Sequence, residues 1–286
     1  MTKVLVTGGS GKMGQVIVKD LLANGYEVVS TDRKAPNSTD GFEFIESDVT
    51  DPDEAMRVMD GCDKVIHMAA IPNPLIASEW EVLRVNTMSN WAVLEAAEKH
   101  GIYNIVMASS INAIGAAFSR NRVPRPYFPL DEEQGTLCQD SYAMSKWYGE
   151  IMADTFVRRN PGKMQIASMR FHWLGHKHEQ LERKNSRNPS MVNPLRRNAM
   201  DFWGYSDIEE SAAACRLAIE NKWDGHEAFF INATDTFLEV PTEEAIAMAY
   251  PEAELKSPLP GFTSAISPAK AKRILGWEQQ HSWRNL

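Results

Sequence analysis

The sequence predicts a doubly wound α/β fold, a parallel sheet with helices on both faces, and three observations carry that prediction. Short β-branched runs alternate with longer segments of helical period through the first two-thirds of the chain, the mark of βαβ units. The first of these runs opens onto three closely spaced glycines and then a helical segment. After Met169 the texture changes to Pro, Asn and charge, which sets a smaller C-terminal region apart from the sheet.

The candidate strands, in order, are residues 3–7, 27–31, 42–46, 64–68, 104–108 and 164–169. Between them, residues 11–24, 52–59, 78–99 and 142–159 place apolar side chains three and four apart, as helices covering a sheet do. Asn24-Gly25 stops the first helix, and Lys99-His100-Gly101 stops another with basic residues at its carboxyl end, where they meet the helix dipole favourably. The helices near 80–99 and 142–159 are rich in large apolar groups: Trp80, Leu83, Trp91 and Leu94, then Trp147, Tyr148, Ile151 and Phe156. One apolar stripe is enough to cover a sheet, so a second stripe points either to a homodimer through these helices or to cover by the C-terminal region. Beyond Met169 a basic stretch holds Lys177, Arg183, Lys184, Arg187, Arg196 and Arg197, and residues 227–232 read as one more strand returning to the sheet.

Bulk properties narrow the function classes. A chain of 286 residues buries a core without staples. A formal charge of −8, from 30 basic and 38 acidic residues, disfavours nucleic acid or a membrane surface as a general partner. Cys62, Cys138 and Cys215 are odd in number and widely separated, so neither a disulfide framework nor a zinc site is expected. Met1-Thr2-Lys3 runs straight into a strand, with no room for a charged leader, an apolar stretch and a cleavage site. No apolar run approaches the roughly 18 residues that span a bilayer. The expectation is a cytoplasmic protein.

The strongest local feature is Thr7-Gly8-Gly9-Ser10-Gly11-Lys12-Met13-Gly14, between a strand and a helix. Gly8 permits the tight turn, Gly11 lets a pyrophosphate approach the backbone, and Gly14 lets helix and strand meet closely. The helix amino terminus then stabilises the phosphates. Asp32 lies 18 residues past Gly14, at the end of the second strand, where its carboxylate accepts bonds from the adenosine ribose. This predicts a dinucleotide-binding Rossmann domain over 1–170, with a substrate-binding region over 171–286 partly returning to the sheet. Asp32 repels the extra phosphate of NADP, so NAD is the expected cofactor; Arg33 and Lys34 follow it and leave NADP open. Asp48 and Val49 are candidates for the adenine edge, with a helix cap ahead of Pro52 as the alternative for Asp48. Met68, Ala69 and Ala70 end the fourth strand in the residues expected where backbone meets dinucleotide. His67 reads as a packed strand-end histidine.

Tyr142 and Lys146 stand at i and i+4, on one face of a helix. A phenol is a poor base at neutral pH, and a fixed positive charge beside it favours the ionised form that alcohol oxidation needs. Lys146 also anchors the nicotinamide ribose. Ser110 follows the fifth strand, at the sheet edge where doubly wound folds bind ligands, and orients the substrate oxygen.

On Thr7 to Gly14, His67-Met68-Ala69-Ala70, Asn86 with Glu95-Ala96-Ala97, Ser109-Ser110 and Tyr142 to Lys146, the chain resembles the extended short-chain dehydrogenase/reductase family, among its NAD-dependent epimerase/dehydratase proteins. The resemblance covers nearly the whole length. It implies Tyr142 as acid and base, Lys146 as its modulator and cofactor anchor, Ser110 as a substrate partner, Asn86 on the cofactor side, and a dimer. Arg170-Phe171-His172-Trp173-Leu174-Gly175 is similar to the family's strand end at the substrate site, with His172 where sugar-nucleotide epimerases often carry asparagine. Residues 108–115, including Asn112, are similar to uronate dehydrogenases, which carry a histidine where this chain has Ala113.

His172, and a chain shorter than the sugar-nucleotide epimerases usually are, favour a substrate smaller than a sugar nucleotide: a sugar, sugar acid or related alcohol. An anionic substrate suits the basic stretch, where Arg170, Arg183 or Arg187 could take a carboxylate, against the alternative of a solvated charged loop. His172, His176 and His178 suggest no metal, because no acidic or cysteine partner accompanies them. Three classes compete: an oxidoreductase with net turnover of NAD, an epimerase or dehydratase that keeps its NAD bound, and a protein that senses NAD(P) without catalysis.

Overall fold

The computed structural model describes residues 1–185, 195 and 197–286. Arg187 and Arg196 of the basic stretch lie outside these residues, as do the side chains of Lys184 and Arg197. Seven strands form one parallel sheet: β1 (Lys3–Thr7), β2 (Glu27–Asp32), β3 (Glu43–Glu46), β4 (Lys64–His67), β5 (Asn104–Ser110), β7 (Gln165–Phe171) and β10 (Gly225–Ile231). Their order is β10-β7-β5-β4-β1-β2-β3, with every pair parallel. Because β1 lies between β2 and β4, the chain winds in opposite directions from it. The crevice at its carboxyl end is the place where such sheets bind ligands.

The central strands are apolar on both faces because helices cover both. All seven residues of β7 are buried. In β1 the period of two sends Val4 and Val6 to one face and Leu5 to the other. The first face is closed by α1 (Lys12–Ala23), α6 (Ile208–Glu220) and α8 (Ala269–Leu275). The second is closed by α2 (Pro52–Val58), α3 (Glu79–His100) and α4 (Ser141–Arg159). Local signals set their ends. Asp51 caps α2 ahead of Pro52, Ser78 caps α3, and Gly101, at φ 70°, closes α3 in the left-handed region that favours glycine.

β10 comes from the C-terminal region and pairs along the whole of β7 at the sheet edge. The sequence pattern places no elements between 170 and 227 and none past 232. The structure adds two short pairs, β8 (Leu174–Gly175) with β9 (Ser206–Asp207) there, and β11 (Glu254–Leu255) with β6 (Tyr127–Phe128), which precedes α4. It also adds α5 (Lys177–Asn185) and α7 (Thr242–Ala249), together with α6 and α8. The strands and α5, α7 and α8 are short, two to nine residues, and show little period; α6, at 13 residues, carries one through Ile208, Ala212, Cys215 and Ile219 that went unread. A separate apolar cluster with Ile114, Phe128, Phe202, Trp203, Phe230 and Tyr250 joins residues 111–130 to this region. Two boundaries matter for the site. β5 runs through Ser110, and β7 runs two residues past its expected end, taking in Arg170 and Phe171. Among the described residues no helix is long and apolar enough to cross a membrane.

Candidate active site

The carboxyl ends of β1, β2, β4, β5 and β7 open into one cavity of about 940 Å³, the size range of cofactor and small-molecule sites. Gly8, Gly11, Lys12, Met13, Gly14, Asp32, Arg33, Asp48, Val49, Met68, Ala69 and Ala70 line one part of it, and Ser110, Asn112, Tyr142, Lys146 and His172 line another.

The glycine turn is shaped by close backbone approach. Gly8 has φ +67°, and a Cβ there would stand 2.6 Å from the Ala69 nitrogen at the end of β4. A Cβ on Gly14 would overlap the Gly8 carbonyl oxygen, and the Gly11 N–H donates to that oxygen at 3.0 Å. Any larger residue at Gly8 or Gly14 would drive its Cβ into neighbouring backbone and force the turn open. Asp32 Oδ2 accepts from the Ser10 N–H at 3.2 Å and Oδ1 from the Arg33 N–H at 2.7 Å, which turns its carboxylate toward the turn. Asp48 Oδ1 accepts from the Thr50 N–H and hydroxyl. The capping residue is therefore Asp51, and Asp48 remains on the cavity wall. Lys12 Nζ donates to Glu179 of α5 at 2.6 Å and to the Leu174 carbonyl at 2.9 Å, tying the first turn of α1 to the C-terminal region.

Two expected site residues are elsewhere. Asn86 is buried in α3, where its amide takes the Ile71 N–H at 2.7 Å and donates to the Ile71 carbonyl and Ser145 Oγ. It shapes the cavity rim at one remove and is not a wall residue. Arg170, expected to bind substrate, lies away from the cavity. Its Nε and Nη2 donate to the two oxygens of Glu150 at 2.9 and 2.7 Å, and both side chains are almost completely buried. The reason is strand parity: with β7 continuing to Phe171, Arg170 faces α4, while Phe171 lines the cavity.

His67 is packed as expected. The Thr7 hydroxyl accepts from the Ala69 N–H and shares a 2.6 Å bond with His67 Nδ1, and burial with Lys146 nearby pushes the ring down to about 3. It stays neutral and does not line the cavity.

The candidate reactive groups stand on β5 and α4. Ser110 ends β5, and its Oγ accepts from the Asn112 N–H and from Asn112 Nδ2, both at 3.1 Å. With two bonds accepted, its hydrogen is left to donate. The neighbouring phenol of Tyr142 gains from this, since Ser110 draws its pKa down, but burial outweighs that and holds the phenol up at about 12. Lys146 lies one helical turn on, its Nζ donating to the Ala108 carbonyl at 2.8 Å and 5.6 Å from the Tyr142 ring centre. Burial brings its ammonium down to about 8. Any positive charge brought near this phenol favours ionisation, so the arrangement can take up and return one proton beside a hydrogen-bond donor.

The substrate end is aromatic and polar. His172 Nδ1 accepts from the Trp173 N–H, and Nε2 therefore donates to the Asp201 carbonyl at 2.6 Å. Burial lowers its pKa to about 4, which leaves it a neutral wall residue. Of the two candidate arginines among the described residues, Arg183 lines the cavity, stacked 3.5 Å from the Trp173 ring centre. Trp173, within the segment expected at the substrate site, also lines it, as do Phe118 and Asp201, which sequence reasoning did not single out. Phe118 meets the Tyr142 ring edge-on. Among the described residues no three His, Cys, Asp or Glu side chains gather as metal ligands.

Comparisons with known proteins agree with this architecture. Residues 4–229 match the family model described as the NAD dependent epimerase/dehydratase family. The NAD-dependent glucose-6-phosphate dehydrogenase of Haloferax volcanii is 34% identical over 161 residues, covering 52% of this chain and 60% of that protein. The uronate dehydrogenase of Pseudomonas syringae pv. tomato is 27% identical over 161 residues, 55% of this chain and 54% of that one. The chain thus spans little more than half the length of these curated relatives. The solved structure of MoeE5 in complex with UDP-glucose and NAD superposes with a TM-score of 0.72 at 21% identity, over 99% of this chain and 95% of that one, and shares its fold.

Proposed function

The chain belongs to the NAD dependent epimerase/dehydratase family, and on that premise we propose that it is an NAD-dependent enzyme of the short-chain dehydrogenase/reductase type that moves hydride between NAD and a secondary alcohol of a sugar, sugar acid or related small molecule. The observation that carries this reading is the meeting of Ser110, Tyr142 and Lys146 in the same cavity as the glycine turn and Asp32. The residues suit the cofactor, because the turn packs so closely on its own backbone that Gly8 and Gly14 admit no Cβ, and its glycines line the cavity. Gly8, Gly11 and Gly14 would hold the pyrophosphate, Asp32 the adenosine ribose and Lys146 the nicotinamide ribose. Arg33, beside Asp32 on the wall, is the group that would meet the extra phosphate of NADP.

Bound NAD supplies the hydride acceptor. Tyr142 takes the proton of the substrate hydroxyl, with the Lys146 charge favouring the phenolate. The Ser110 hydrogen, left over by the two bonds from Asn112, points the substrate oxygen at the phenol. Phe118, Phe171 and Trp173 supply apolar walls that limit water. Arg183, on the cavity wall, would suit a carboxylate or phosphate on the sugar. The relatives named for glucose 6-phosphate and uronate support a sugar substrate of this kind.

Two chains would associate through α3 and α4, where Trp80, Met88, Trp91, Tyr148 and Ile151 remain exposed. Light scattering on wild type and Trp80→Glu reads this directly. The free thiols Cys62, Cys138 and Cys215 support a reducing, cytoplasmic setting. The activity itself is tested by following NADH with NAD and a panel of sugars, uronic acids, sugar phosphates and polyols. NADH that accumulates with one class and is lost in Tyr142→Phe supports the oxidoreductase. NAD that co-purifies, with no net NADH and a sugar nucleotide converted to its epimer, moves the assignment to the epimerase/dehydratase class. Unaltered behaviour of Tyr142→Phe would favour a non-catalytic sensor.

A further inference from the structure

A buried cation close to the site has no part in the chemistry above. Arg125 lies between β5 and β6 and is only 2% exposed. Taking a guanidinium out of water without a carboxylate partner is costly. Among the described residues the ionisable group that acts on it is the phenol of Tyr250, itself held neutral by burial. Burial brings the guanidinium down to about 10, which leaves it charged at neutral pH.

Two sets of contacts compensate that charge. The first is aromatic. Phe202 and Trp203 stand in the left-handed region, at φ 58° and 56°, with both rings buried in the cluster with Phe128 and Tyr250. Side chains of this size rarely adopt that conformation, and it persists only where the surroundings enforce it. The centre of the Phe202 ring is 5.2 Å from the guanidinium carbon, and the face of such a ring attracts a cation. The second is backbone. Arg125 Nη1 donates to the Ile114 carbonyl at 3.1 Å and Nη2 to the next carbonyl, that of Gly115, while Nε has no partner among the described residues.

Those two carbonyls close the turn that carries Asn112. Ile111–Ile114 form a single 3-10 turn directly after Ser110. The Gly115 N–H donates to the Asn112 carbonyl at 2.8 Å and the Leu137 N–H to the Ile114 carbonyl at 3.2 Å. Gly115, at φ 76°, lies so close to Leu137 that a Cβ would come within 2.5 Å of its backbone. Asn112 has no comparable anchor in its side chain. Its amide donates to Ser110 Oγ, and its Oδ1 is buried with no hydrogen-bond partner among the described residues. The backbone of the turn therefore decides where Asn112 stands.

We propose that Arg125 is a positioning residue for Ser110: its guanidinium fork holds the Ile114 and Gly115 carbonyls, and so keeps Asn112 donating twice to Ser110 Oγ and the Ser110 hydrogen aimed at the substrate oxygen. The proposal rests on the reading of Ser110 as the group that orients that oxygen. Arg125 is not a residue of the cavity wall and acts only through the turn. A lysine in its place carries the charge but not the planar fork.

The test is proton–nitrogen NMR of the full chain with NAD present, isotopically labelled at asparagine. The side-chain amide of Asn112 is identified by its loss in Asn112→Asp, and Ser110→Ala shows where it moves when its acceptor is removed. The expected result is that Arg125→Lys, which keeps a charge beside Phe202, shifts the amide in the same direction and Arg125→Met shifts it further. An amide at its wild-type position in Arg125→Lys overturns the proposal. So does loss of the fold in Arg125→Lys, which would make Arg125 a structural residue only. Turnover gives a second readout, with D-glucuronate or D-glucose 6-phosphate, whichever releases NADH. Arg125→Lys is expected to lower kcat about tenfold with KM and NAD affinity within about twofold of wild type, and to lower it no further when added to Asn112→Ala. Losses that multiply in the double variant, or that fall on KM alone, overturn the proposal. Should neither sugar release NADH, the oxidoreductase reading fails for them while the Asn112 amide still decides the role of Arg125.

Discussion

The two ends of the cavity are built by different means. The cofactor end is backbone: a turn that tolerates no Cβ at Gly8 or Gly14, strand ends of small residues at Ala69 and Ala70, and one carboxylate, Asp32. Its parts are close in sequence or follow directly from strand order. The substrate end is side chains, with Phe118, His172, Trp173, Arg183 and Asp201 brought together from loops and short elements and held by an aromatic cluster and a strained turn. A dinucleotide is the same molecule for every protein that binds it, so its end can be met by repeated backbone geometry. The partner alcohol differs, and its end is specified by packing.

Substitutions at each end separate these two designs. The largest effect is expected between them, at Tyr142. Tyr142→Phe removes the proton acceptor and leaves the ring and its contact with Phe118, so turnover falls about 10²–10⁴-fold while NAD affinity, measured by titration, stays within about twofold of wild type. A drop in NAD affinity to match would tie the two ends more closely than described here.

Arg170 comes next, because it decides whether a basic group near the site binds substrate or holds the scaffold. Arg170→Met leaves the Glu150 charge buried and unpaired. Denaturant unfolding is expected to show a loss of about 3–5 kcal/mol, much of it regained when Glu150→Met is added. A variant of wild-type stability with impaired substrate binding would return Arg170 to the substrate end.

At the cofactor end, Asp32→Ser removes the ribose acceptor and the charge that repels a 2′-phosphate. NAD affinity falls about tenfold and NADP affinity rises. Equal weakening of both would show that Asp32 serves only the turn around Ser10 and Arg33.

A pH-dependent effect is expected on stability at Asp201. Its folded pKa of about 7 lies above the ordinary 3.8, so between those values the folded chain keeps a proton that the unfolded chain releases. The stability it contributes is present below the unfolded value and is lost as pH rises through the folded one. Melting temperatures taken across this window should show wild type losing ground to Asp201→Asn as pH rises. Parallel curves would mean that Asp201 titrates as an ordinary surface carboxylate.

What was legible in the sequence follows the same division. Gly8, Gly11, Gly14 and Asp32 are read from local spacing, and Tyr142 with Lys146 from one turn of helix, because those geometries need only neighbouring residues. Arg170 was misread because β7 was ended at Met169. One more strand residue puts Arg170 on the α4 side, where Glu150 continues the series Tyr142, Lys146, Glu150 at four-residue steps. That series was visible, and it held the missing partner. Asn86 was assigned to the cofactor by resemblance; its amide instead secures the Ile71 backbone, a pairing 15 residues apart that no spacing rule announces. Asp201 had no motif at all. Its place depends on Phe202 and Trp203 being forced into left-handed geometry by a core assembled from three parts of the chain.

The central claim is that hydride leaves the sugar for NAD with Tyr142 as the base, and isotope transfer tests it most directly. Wild type incubated with NAD and uniformly carbon-deuterated glucose, glucuronate or glucose 6-phosphate is predicted to release deuterated NADH with at least one of them, and Tyr142→Phe to release almost none. Deuterium that returns to the sugar at an inverted carbon, or transfer that proceeds undiminished in Tyr142→Phe, would contradict the account.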